Sequence, residues 1–299
     1  MKRFWAAIGI GVACAAGYML LQGIVSIVFM IPYIASTLGA DVLALDVVQI
    51  TAEATAYLYE KFAYISIITN VLTFFILWGV YALMRRNIFQ EIRLVPVKAR
   101  SLLPNIGLAA GLGVVICLVL SLLPEEAMAS YIEQSNSVIY GVSLPLAMLS
   151  TVLFAPILEE ILFRGVVYGT FKRAMPRGFA LLLSSLIFGA LHGQLIWILY
   201  AAVVGCVMAL VYDAYGSLLA NIVFHIVFNL VGGYFTVLLD FPTLPPRFIA
   251  LALALALCAW CVYKIKRLRR DDLPPLDIAS EGEPAGNDEP AAPIPEPAE

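Results

Sequence analysis

The chain has 299 residues, 62% of them hydrophobic and 13% charged, and a mean hydropathy of +0.93. Charged residues reach about half of the ~25% usual in a soluble domain, too few to cover this apolar volume with a water-facing surface. No strongly basic face is available for nucleic acid. A polytopic membrane protein remains.

The formal charge of −3 hides two regions. The last 29 residues, Asp271 to Glu299, hold nine acids, seven prolines and no Lys or Arg; the rest of the chain holds 18 basic and 12 acidic residues. Residues 271–299 are therefore expected to be a disordered, acidic, Pro-rich cytoplasmic tail, unable to bury enough apolar surface to offset its ordering entropy. Residues 1–270 form a membrane-embedded domain. The five cysteines lie inside apolar runs and are expected as buried thiols. Cys258 and Cys261 form a C-x-x-C without the second pair of a zinc site.

Runs long enough to cross ~30 Å of hydrocarbon follow one another along the chain. They are Phe4 to about Ile31, closed by Pro32; Phe62 to Met84; Ser101 to Leu123; Gly141 into Val167; Gly178 to Gly193; Leu195 to Tyr212; Ser217 to Leu239; and Phe248 to Tyr263. The first has a basic start but runs past any plausible cleavage point, so it is read as an uncleaved span. With the N-terminus in the cytoplasm, 15 of the 18 basic residues fall in cytoplasmic segments, and the outer loops keep only Lys61 and Arg247 beside eight acids. This is the positive-inside pattern. The expected fold is an all-α transmembrane bundle of about eight spans, both termini cytoplasmic, in a bacterial cell membrane.

Three charges remain inside apolar helices: Glu159, Glu160 and Arg164. An ionisable group there costs ~2.5–3.5 kcal/mol on insertion scales and marks function by default. Glu160 and Arg164 are i and i+4 and can pair. Glu159 is rotated ~100° away and has no local counter-charge, which suits a proton-transfer group. The only two histidines also lie in spans. His192 follows Phe188 by one turn, and His225 precedes Asn229 by one turn. Counted from the inner helix ends at 1.5 Å per residue, Glu159 lies ~15 Å deep, His192 ~21 Å and His225 ~12 Å. One site in the cytoplasmic half, in a water-filled cavity open to the cytosol, can collect them. Singly, His192, Asn229 and the Glu160–Arg164 pair each admit a purely interhelical bonding role; Gln22 and Asn70 are read that way, and Asn221 and Gln194 are given no role.

Ala155-Pro156-Ile157-Leu158-Glu159-Glu160-Ile161-Leu162-Phe163-Arg164-Gly165 resembles the E-E-x-x-x-R motif of the CAAX-protease and bacteriocin-processing (CPBP, or Abi) family. Phe188 to His192 resembles its F-x-x-x-H motif, and His225 to Asn229 its H-x-x-x-N motif. The resemblance spans a core of about residues 141–235, with one softer departure: Met208 and Ala209 stand where relatives often have a second glycine after the one matching Gly205. It implies an intramembrane endopeptidase (a peptidase, hence a hydrolase) carrying out proteolysis on a membrane-tethered or hydrophobic substrate. The partners implied are membrane lipid and a peptide or lipidated protein, with no nucleic acid.

In the mechanism expected, Glu159 activates a water that His192 positions, His225 and Asn229 donate to the oxyanion, and Glu160, Arg164 and Phe188 support them. No cofactor is preferred. A zinc ion on Glu159, His192 and His225 is the alternative, since two His and one Glu form a known zinc set. A non-catalytic scaffold, immunity or regulatory protein is a further reading, and a proton-coupled transporter another. The internal repeat common in transporters is not visible in the sequence.

Overall fold

The structure is a computed structural model describing residues 1–38, 47–235 and 243–268. The acidic tail lies outside the described residues. Those described are helical, with no strand among them. The ten helices are α1 (Lys2–Leu38), α2 (Val47–Leu83), α3 (Ile88–Glu91), α4 (Ala99–Leu120), α5 (Glu125–Tyr140), α6 (Leu144–Lys172), α7 (Arg177–Ala190), α8 (Leu195–Tyr215), α9 (Leu218–Phe235) and α10 (Leu244–Lys266). Seven of them are long and apolar enough to cross a bilayer. Helical spans satisfy every backbone polar group internally, which hydrocarbon demands. The protein is an all-α polytopic bundle and an integral, multi-pass membrane protein.

The fifth expected span is shorter than its apolar run. α7 has 14 residues, about 21 Å of rise, too little to cross ~30 Å of hydrocarbon alone. It stops at Ala190, and the chain turns through Gly193 at φ +75° before α8. His192 therefore sits on the turn rather than in the helix.

Three other boundaries move. Pro32 does not close α1, which continues to Leu38. α2 starts well before Phe62, at Val47. The added turns are held by short-range contacts: Gln49 donates to Glu53 at 2.9 Å, and Tyr33 meets Tyr57 with ring centroids 5.3 Å apart. The segment expected as an outer loop holds α5, whose first turn places Glu125 and Glu126 where the helix dipole favours acids. Its apolar spacing at Met128, Tyr131 and Val138 is masked by a polar average.

The basic ends of the helices are locked together. Asp213, at the end of α8, accepts from Lys172 at 2.7 Å, Arg177 at 2.5 Å and the Tyr168 hydroxyl at 2.6 Å. The connection before α4 is stitched to the α8–α9 corner. Leu218 N donates to Arg93 O at 3.0 Å, Ser217 Oγ to Val95 O at 2.6 Å and Tyr215 OH to Ser101 O at 2.7 Å. Ile92, Tyr168, Phe171 and Phe224 are fully buried in this region. The outward faces of α1 and α10 expose Ile, Leu and Val as a lipid-facing surface does. The cysteines are free thiols, one buried and four half-buried. Cys258 and Cys261 pack against Gly111 and Gly107 of α4, so the C-x-x-C spacing serves helix packing.

Candidate active site

α6 delivers the two adjacent carboxylates to different surroundings. The helix widens to π geometry over Leu149–Phe154 and again over Glu160–Tyr168, so Glu159 and Glu160 flank a change of pitch. Such widenings concentrate at functional sites. The Glu160 side chain is 0% exposed and that of Glu159 is 20% exposed, and this difference separates their chemistry.

Glu160 is fully engaged. Its Oε1 accepts from Arg164 Nη1 at 2.8 Å and pairs with His225 Nδ1 at 2.8 Å; its Oε2 accepts from Asn221 Nδ2 at 2.9 Å. The expected i,i+4 pair with Arg164 is present, but it is one arm of a clamp joining α6 to α9. Arg164 also donates to Gly205 O at 3.3 Å and lies 4.3 Å from the Phe188 ring centroid. Asn221, given no role from sequence, is a member of the clamp and also donates to Met208 O at 2.8 Å. The signal that could have found it was its i,i+4 spacing to His225, the same spacing that singled out Asn229.

Glu159 faces a cavity of about 670 Å³, together with His192, His225, Asn229 and Phe188. His225 Nε2 stands 3.7 Å from Glu159 Oε2, so this one imidazole touches both carboxylates. His192 Nδ1 lies 3.1 Å from Phe188 O. Its ring packs edge-on to Phe188 at 5.0 Å between centroids, and the His225 ring meets the same Phe188 at 6.0 Å. Asn229 Nδ2 donates to Thr151 O at 2.8 Å, on the first π segment of α6. The structure thus brings α6, α7, α8 and α9 to one place. Glu159, His192, His225 and Asn229 line the cavity, while Glu160 and Arg164 are buried behind it.

The hydrogen bonds constrain the histidine tautomers. A carbonyl oxygen only accepts, so His192 Nδ1 carries the proton and a neutral ring keeps its Nε2 lone pair. The Glu160 carboxylate likewise accepts from His225 Nδ1. Met208, one of the two residues departing from the motif pattern, is fully buried and lines the cavity near its floor.

The cavity does not run toward the basic ends as expected. It is lined by α5, the far half of α4 and the first turns of α8, including Leu118, Tyr131 and Trp197. Toward the basic ends it is stopped by Phe163, Phe188 and Met208. Among the described residues, large side chains and the Asp213 clasp fill the inner ends, and the cavity beside Glu159 extends instead under α5.

A metal is the other expectation. Among the described residues, no three His, Cys, Asp or Glu side chains form a group that could hold an ion. Glu159 and His225 approach each other, but His192 does not complete a ligand set with them. The residues as placed do not fit zinc, and no step below runs through one.

The comparison with known families falls on this same region. Residues 141–231 match the family described as type II CAAX prenyl endopeptidase Rce1-like. This core is similar to the CPBP family in the segment that carries the three motifs. The chain is also similar to a Bacillus subtilis (strain 168) protein named "Putative membrane peptidase YdiL", 32% identical over 87 residues. That match covers 29% of this chain and 36% of the relative, so the chain spans about a third of the relative's length. No solved structure matches. Every residue of the CPBP motifs considered above lies within the matched segment.

Proposed function

We propose that the protein is an intramembrane endopeptidase of the CAAX-protease type, hydrolysing a peptide bond of a membrane-tethered or hydrophobic substrate with a water activated by Glu159. The observation that carries this reading is the division of labour between adjacent carboxylates. Glu160 is sealed and satisfied by three partners, whereas Glu159 faces the cavity beside an imidazole.

Chemistry follows from the donors and acceptors. The free lone pair on His192 Nε2 accepts one hydrogen of the attacking water and orients it, while the Glu159 carboxylate takes the other as the oxygen attacks the scissile carbonyl. Asn229 spends one amide hydrogen on Thr151 O and retains a second for the developing oxyanion. His225 can donate from Nε2 only as an imidazolium, because Nδ1–H is already given to Glu160. Glu159 then hands its proton to the leaving amine. The scheme needs no metal.

The test is proteolysis by purified protein in lipid, wild type against Glu159→Gln. The reading expects loss of turnover with an unchanged melting temperature. Retained turnover sinks it and favours a scaffold whose polar network serves helix packing. Exhaustive chelation is expected to leave the rate unaltered; loss with chelator and recovery with zinc would replace the metal-free scheme.

A further inference from the structure

The cavity residues share one end of the bundle, and that end is the one poor in positive charge. Of the 16 basic residues among those described, Lys61 and Arg247 belong to this side, Arg164 is buried between, and the other 13 lie in segments at the opposite side. No described lining residue comes from the basic ends. Those ends are closed by fully buried Ile92, Tyr168, Phe171 and Phe224 and by the clasp of Lys172, Arg177 and Tyr168 on Asp213. Basic residues in short loops stay in the cytoplasm. We infer that the Glu159 site takes its substrate from the non-cytoplasmic side of the membrane, and that the substrate is an apolar or membrane-anchored polypeptide segment displayed on that side.

The sidedness stands on charge and packing; only the word substrate rests on the protease reading. A cytosolic, lipid-modified C-terminus approaching from the basic face would have to cross about 15 Å of close-packed core to reach Glu159. From the other face the route is the cavity itself. Its volume of about 670 Å³ suits a few side chains of an extended segment and excludes a folded domain. Part of its wall is α5, an amphipathic helix at that end.

The chain's six lysines make the test possible without mutation. Lys61 lies at the cavity end, between the lining residues Tyr59 and Phe62; Lys2, Lys98, Lys172, Lys264 and Lys266 lie at the basic end. A bacterial host expressing the full chain is treated with a membrane-impermeant amine reagent, as intact spheroplasts and as inverted vesicles, and modified lysines are mapped by peptide mass spectrometry. Modification of Lys61 in spheroplasts at least tenfold above that of Lys264 and Lys266, with the order reversed in inverted vesicles, is expected. Modification of Lys264 and Lys266 in spheroplasts overturns the inference.

A second measurement uses one anchored reporter segment displayed on either face. Cleavage of the outward reporter alone, lost in Glu159→Gln, supports the inference. Cleavage of the inward reporter alone overturns it and leaves the protease reading standing. The expected lysine pattern with neither reporter cut upholds the sidedness and counts against the protease.

Discussion

Glu159 and Glu160 are neighbours with the same side chain, and the structure gives opposite expectations for removing their charge. Glu159→Gln keeps shape and touches no buried bond, so the account predicts a 10²–10⁴-fold loss of peptide hydrolysis, the usual range for a positioned acid–base group, with little change in melting temperature. Glu160→Gln leaves Arg164 buried without its anion. Breaking a buried pair from one side costs about 3–5 kcal/mol, so this variant is expected to lose stability and activity together in thermal unfolding and turnover assays. Asn229→Ala removes a hydrogen-bond donor from the cavity wall, and a 10²–10³-fold drop in kcat with a smaller change in KM is expected if it serves the oxyanion. The anomalous residues could be read from sequence because a charge or imidazole in an apolar run is costly. Their partners could not: the His225–Glu160 and Asn221–Glu160 bonds join α9 to α6, and no local spacing reports a contact across 61 or 65 positions.

At the level of elements, site geometry depends on how closely α7 and α8 approach. A Cβ added to Gly189 would stand 2.7 Å from Ile198 O and 2.9 Å from Ala202 Cβ, and the first of these is backbone that cannot rotate away. Gly189→Ala is therefore expected to push α7 from α8, displace the His192 turn and cost about 1–3 kcal/mol as overpacking does. The readout is a lowered melting temperature together with reduced turnover. Apolar run length predicted the spans well where hydrocarbon sets the length, as in α4, α8 and α10. It failed where another force takes over. α1 and α2 continue past the ends of their apolar runs, α1 through Pro32 to Leu38 and α2 from Val47 on more polar sequence. α7 stops short because its run bends at Gly193. The outer loop folds as α5 because its apolar positions recur at helical spacing.

For the whole molecule, charge and cavity oppose each other: the basic side is closed and the acidic side holds the room. The depths counted from sequence for Glu159, His192 and His225 agree with one another within about two turns, but the direction of access depends on which helix ends carry large side chains into the core. The most direct measurement compares new peptide C-termini in membranes carrying wild-type protein with those carrying equal amounts of folded Glu159→Gln. The account predicts a set of cleaved apolar or membrane-anchored polypeptides present only with the wild type. Identical C-termini in the two membranes, or equal turnover by both purified proteins, would contradict it.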